Sequence, residues 1–189
     1  MRVRITGSAA VLSALAVLAA AGPARGVVLR DAAGVSGQEF AACVAAVADQ
    51  NGDGRTELLV GSPSSDLSGT DAGRAYLWLG GTGVTLDAQR VWSGAGGEEL
   101  GRAVASIGDV NHDGIGDFAL GAPLSNVAGA DAGRVYVFYG GWPRPATADV
   151  VLEGRAPGQH FGHALCGIGD FNGDDRDDLL VGAPWSNAA

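Results

Sequence analysis

The sequence predicts an all-β fold, a partial β-propeller of about two and a half four-stranded blades. Three observations predict it. An acidic loop recurs three times: Asp49-Gln-Asn-Gly-Asp-Gly-Arg-Thr-Glu57, Asp109-Val-Asn-His-Asp-Gly-Ile-Gly-Asp117 and Asp170-Phe-Asn-Gly-Asp-Asp-Arg-Asp-Asp178, with starts 60 and 61 residues apart. Each loop runs into an apolar segment ending in Gly-x-Pro (LLVGSP, FALGAP, LLVGAP), and nine residues before each first Asp stands Phe40, Leu100 or Phe161. Short apolar runs bounded by Gly, Pro, Asn and Asp are strand signals, and no segment after the first two dozen residues carries a capped helical period.

The first element is an export signal over residues 1–24. Arg2 and Arg4 form a positive start, an apolar run follows from Ala9 to Ala21 broken only by Ser13, and Ala21 or Ala24 offers a small-residue cleavage site. The run is shorter than the ~18 apolar residues of a spanning helix. An uncleaved anchor is the alternative. After cleavage the chain is expected to be soluble and exported, to the periplasm, the cell surface or the medium.

Residues 27–34 read as a lone outer strand, because Val27-Val28-Leu29 resembles Val150-Val151-Leu152. Repeat 1 then covers 35–95, repeat 2 covers 96–156 and a partial repeat 3 covers 157–189. Within a repeat the first strand precedes the acidic loop and the second follows it. The third is RAYLW or RVYVF, introduced by Asp71-Ala-Gly-Arg74 or Asp131-Ala-Gly-Arg134. The fourth lies near Arg90–Trp92 and Asp149–Leu152. The third repeat ends at Gly182-Ala-Pro-Trp-Ser-Asn-Ala-Ala189, where the second continues into its third strand. Propellers close with about 4–8 blades. The sequence therefore reads as a piece of a longer propeller, or as a chain that completes its ring by self-association.

Composition limits the partners. The 189 residues carry 12 basic side chains, all Arg, and 21 acidic ones, a net charge of −9. Losing Arg2 and Arg4 with the signal takes it to −11. A nucleic-acid or anionic-membrane binder needs the opposite surface. The 32 glycines lack a three-residue period, so they mark turns rather than collagen. Export permits a disulfide, and Cys43 and Cys166 either pair or remain two buried free thiols.

The acidic loops carry the chemistry. Oxygen side chains stand at positions 1, 3, 5 and 9: Asp49, Asn51, Asp53 and Glu57; Asp109, Asn111, Asp113 and Asp117; Asp170, Asn172, Asp174 and Asp178. Alternate residues of a tight loop can turn their oxygens toward one point, and position 7 (Arg55, Ile115, Arg176) would add a backbone carbonyl. With water this supplies the ~6–8 oxygens that Ca²⁺ prefers. No Cys or His occupies a ligand position, which disfavours Zn²⁺ and Cu²⁺, and Mg²⁺ keeps its waters too firmly for such a cage. Up to three Ca²⁺ ions are expected, with dissociation constants of ~10⁻⁴–10⁻³ M and a structural role. An EF-hand is excluded, because position 12 is Val60, Leu120 or Val181 rather than Glu. Position 6 is Gly54, Gly114 or Asp175, and Asp tolerates a left-handed turn less well, so the third site is the weaker. The plainer alternative is a set of Asx turns without a cation.

Other motifs are weaker. His160-Phe-Gly-His163 has no third ligand, and no nucleophile elbow occurs. Trp78, Trp92, Trp142 and Trp185 fit core or inter-blade packing better than sugar platforms.

Phe161-Gly162 and the Gly-Ala-Pro runs at Gly121–Pro123 and Gly182–Pro184 resemble FG-GAP repeats, those of the integrin alpha-subunit β-propeller and its bacterial relatives. Departures are mild: Ala41 follows Phe40, Leu100 replaces the Phe, and Gly61-Ser62-Pro63 replaces Gly-Ala-Pro. The resemblance implies a seven-bladed parent ring with ligand contacts on the face opposite the calcium loops. It points to a secreted calcium-binding module for protein or glycan binding and adhesion, without a catalytic site. The alternatives are the accessory repeats of a secreted hydrolase or phospholipase, and a fragment without function.

Overall fold

The structure is a computed structural model that describes residues 14–17, 27–30, 38–81 and 88–186. Every regular element among them is a strand. Most of the 1–24 signal segment lies outside the described residues. Its Ala14–Val17 (β1) pairs antiparallel with Val27–Arg30 (β2), the described part of the outer strand expected at 27–34.

Blade 1 is an antiparallel meander of Cys43–Val47 (β3), Glu57–Ser62 (β4), Arg74–Trp78 (β5) and Arg90–Ser93 (β6). Blade 2 repeats it with Ala103–Gly108 (β7), Asp117–Ala122 (β8), Arg134–Phe138 (β9) and Val150–Glu153 (β10). The third sheet holds Ala164–Gly167 (β11) and Leu179–Gly182 (β12). This is the partial propeller read from the repeats. The innermost strands β3, β7 and β11 pack side by side from blade to blade.

Burial explains why the second strands are continuous apolar runs. β8 is buried at all six positions, because blades cover both of its faces. One core joins blades 1 and 2: Val47, Leu59, Leu77 and Trp92 meet Leu100, Val104, Phe118, Leu120 and Phe138. A second joins blades 2 and 3, where Ile107, Ala119, Val135 and Val137 pack against Phe161, Leu165, Leu179 and Val181. Phe40, Val60, Tyr76 and Trp78 fill the other face of blade 1.

The glycines of the repeat signature form the seams. The second-strand Gly61 and Gly121 lie under the carbonyls of Gly101 and Gly162, which follow the large apolar residue of the next repeat. Gly101 and Gly162 take φ of +85° and +90°, a region natural to Gly. The Asp-Ala-Gly-Arg segments form the other half of each seam. Glu99 and Leu100 donate backbone N–H bonds to the carbonyls of Asp71 and Ala72, and His160 and Phe161 do the same to Asp131 and Ala132.

Cys43 and Cys166 are both free. Cys43 is half-buried and its Sγ donates to the Gly101 carbonyl at 3.0 Å. Cys166 is exposed, which corrects the expectation of two buried thiols: it lies on the outward face of β11. Trp78 and Trp92 are core residues, as read from the sequence, whereas Trp142 and Trp185 are exposed. The Trp185 indole packs on both His160 and His163, at ring separations of 4.3 and 5.4 Å, so that histidine pair is an aromatic contact.

Candidate metal centres

Each acidic loop joins the first two strands of its blade. The three share one backbone course, with left-handed residues at positions 4 and 6: Gly52 and Gly54, His112 and Gly114, Gly173 and Asp175. Asp175 does occupy the left-handed turn, at φ 63°. Position 4 imposes the same demand, which the spacing of the acids does not reveal.

The first carboxylate organises each loop by accepting its amides. Asp49 Oδ1 accepts the N–H groups of Asn51, Gly52 and Asp53, and its Oδ2 accepts Gly54 at 2.6 Å. Asp109 accepts Asp113 at 3.0 Å and Gly114 at 2.7 Å. Asp170 accepts Gly173, Asp174 and Asp175 at 2.7, 3.1 and 3.0 Å. Positions 3 and 5 carry the turn onward. Asn51 accepts from Asp53 and Asn111 from Asp113, while Asp53, Asp113 and Asp174 accept the N–H groups of Arg55, Ile115 and Arg176. Asn172 instead turns its amide nitrogen to Asp178 at 3.3 Å.

Position 9 forms the floor. Glu57 and Asp117 are buried, at 2% and 0% exposure. One oxygen accepts the N–H of position 2, from Gln50 at 3.1 Å and Val110 at 2.8 Å. The other accepts an amide just beyond the third strand, Gly80 at 2.5 Å and Gly140 at 2.6 Å. Asp178 accepts Phe171 at 2.9 Å. Glu57 and Asp117 therefore tie loop, second strand and third strand together. The sequence gives no sign of this use, because Gly80 and Gly140 lie more than twenty residues downstream.

The electrostatics follow. Four N–H donors, Gly54 foremost, hold Asp49 below the ordinary carboxylate range. For Asp109 and Asp170 local desolvation pushes upward, but the loop amides outweigh it and the net shift is downward. Burial pushes Asp117 up, its two amide donors oppose this, and the charges of Asp113 and Asp109 push it further up.

Among the described residues no three His, Cys, Asp or Glu side chains form a ready metal-holding group. The first two loops offer an oxygen-only donor set of two carboxylates and an amide, with the third acid drawn to the base, and loop 3 differs in that its amide turns to the base acid Asp178. That set fits a hard cation such as Ca²⁺. The like charges that meet at Asp117 are the part of the loop a cation would relieve.

Tandem four-stranded blades, an acidic hairpin loop in each and glycine-lined seams define a propeller repeat protein. The chain belongs to the FG-GAP repeat family, which matches residues 44–78, 100–138 and 161–189. It is 37% identical over 151 residues to integrin alpha-IIb of Mus musculus, covering 73% of this chain and 14% of the relative. Integrin alpha-PS2 of Drosophila melanogaster is 36% identical over 155 residues, 73% and 11% respectively. Integrin alpha-7 of Homo sapiens is 37% identical over 145 residues, 73% and 12%. The chain thus spans about one-seventh of these relatives' length or less. Among the described residues no helix is long and apolar enough to cross a membrane.

Proposed function

We propose that this chain is an exported, calcium-binding propeller module that presents a rigid surface to a protein or glycan, in adhesion or ligand binding. The carrying observation is the recurrence of one oxygen-only loop in three successive blades, with Asp109 and Asp113 charging against buried Asp117 in the second. Bound Ca²⁺ would be held by Asp49, Asn51 and Asp53 and their counterparts, with Glu57, Asp117 and Asp178 beneath. It would neutralise the acids and fix the turn between the first two strands. Similarity to integrin alpha chains supports the adhesive role and a non-catalytic module. The signal-like start supports export.

The test is thermal unfolding of the chain from residue 25 in EGTA and in millimolar Ca²⁺, with light scattering in the same buffers. A melting temperature that rises with Ca²⁺, and a smaller rise in Asp113→Ala, supports the reading. Identical curves in both buffers would reduce the loops to Asx turns. A defined oligomer would show ring completion between chains.

A further inference from the structure

The second and third loops touch, and they do so at the residue that begins the second. Asp177, position 8 of loop 3, accepts the backbone N–H of Asp109 on Oδ2 at 2.7 Å. Its own N–H donates to the Asp109 carbonyl at 3.2 Å. Arg176 Nη1 reaches the next carbonyl, Val110, at 3.3 Å. Asp177 fills the space where any side chain on residue 108 would sit, so Gly108, at φ 77°, has no room for one. The β7–β8 register also slips between Ser106 and Gly108, which brings the loop 2 backbone to this point.

We propose that Asp177 is a positioning residue that couples the two loops, so that a cation in either raises the affinity of the other. This rests on the calcium reading above. A cation in loop 3 fixes the segment from Asp170 to Asp178, and with it Asp177. Asp177 then holds the main chain of Asp109, whose carboxylate is the first ligand of loop 2. By reciprocity, filling loop 2 strengthens loop 3 by the same factor. Loops 1 and 2 also touch, through Gln50 Nε2 and the Gly116 carbonyl at 2.7 Å, but with a neutral donor and acceptor. Charge-assisted bonds are about twice as strong as neutral ones, so the coupling is concentrated between loops 2 and 3.

The experiment is a thermodynamic cycle read by Tb³⁺ luminescence on the full chain. Phe171 is exposed within loop 3, and Phe171→Trp makes sensitised Tb³⁺ emission report that loop. Asp113→Ala, which disables loop 2, is expected to weaken Tb³⁺ at loop 3 by about 5–10-fold, within the usual range of coupling between sites. In Asp177→Ala the same loop 2 lesion should change loop 3 by less than about 2-fold. Asp177→Asn retains a neutral acceptor for the Asp109 N–H and should restore part of the dependence. Loop 3 affinity indifferent to Asp113→Ala overturns the coupling while leaving cation binding intact, and that arm does not need Asp177→Ala to fold. No Tb³⁺ emission from the Phe171→Trp protein at millimolar metal overturns both this inference and the calcium reading of loop 3.

Discussion

Gly121 lies directly beneath the carbonyl of Gly162, the two glycines belonging to adjacent repeats, and a Cβ on Gly121 would overlap that oxygen. Gly61 and Gly101 stand in the same relationship one blade earlier, with Cys43 Sγ closing the remaining space. The backbone approach is a structural requirement of blade packing. Gly121→Ala and Gly61→Ala should each destabilise the fold by about 1–3 kcal/mol through overpacking. Gly52→Ala, which meets no atom within 4 Å, should cost only the strain of its left-handed backbone. Urea unfolding of the three variants compares them, and equal midpoints would dismiss the seam.

The repeat period, the blade order and the four strands of the first two units could be read before the structure, because hydrophobic runs and turn residues are local signals. The loop acids were equally readable as an alternating oxygen set. What sequence could not show was where each acid points. Glu57 and Asp117 bond amides beyond the third strand, and Asp177 bonds the neighbouring blade. Such partners are fixed by tertiary approach rather than by spacing.

Removing the charge from the loop floor should therefore act on folding even without metal. Asp117→Leu leaves the part-buried N–H groups of Val110 and Gly140 without their acceptor. A cost of about 1.5–3 kcal/mol per lost charged hydrogen bond is expected. Asp117→Asn keeps one acceptor oxygen and should recover part of it. Denaturant unfolding in EGTA measures both, and wild-type stability in Asp117→Leu would refute the floor role.

The metal-free loop should titrate with opposite signs at its two ends. Asp109 sits below the usual value of 3.8, so its stabilisation is complete above that value and is lost as pH falls through its depressed folded value. Asp117 sits above 3.8, chiefly through burial, so the stability linked to it is complete below 3.8 and is lost as pH rises through its raised folded value. A carbon-13 carboxyl titration in EGTA should find Asp109 titrating below Asp117. The reverse order would show that the loop amides do not govern these groups.

The two thiols should be chemically distinct. Burial pushes the Cys43 thiol up to about 11, so little thiolate exists there near neutrality. Cys166 is exposed on β11. Iodoacetamide at pH 8 followed by mass spectrometry should place the first label on Cys166, with Cys43 reacting when the chain unfolds. Equal rates in the folded protein would mean that the seam beside Gly101 opens readily.

The joint between blades 1 and 2 depends on three rings. Trp92 from blade 1 meets Phe118 and Phe138 of blade 2 at centroid separations of 5.5 and 4.9 Å, and the two Phe rings stack at 5.1 Å. Trp92 reaches them because it is the inward residue of β6, between the outward Val91 and Ser93. Phe118→Ala empties a fully buried position facing both blades and should cost about 3–5 kcal/mol. Phe118→Leu keeps most of the volume and should cost less than half of that. If the blades unfold as one unit, either variant lowers a single transition followed both by Trp fluorescence and by far-ultraviolet circular dichroism. If the seam is the weak joint, Phe118→Ala splits the two signals, because Trp92 loses its packed environment while the sheets of each blade persist. Separated midpoints would show that each blade holds its own structure and that the ring contact adds rigidity between them. Coincident midpoints, displaced together, would show that no blade is stable without its neighbour, which is the behaviour expected where one apolar core is shared across the seam.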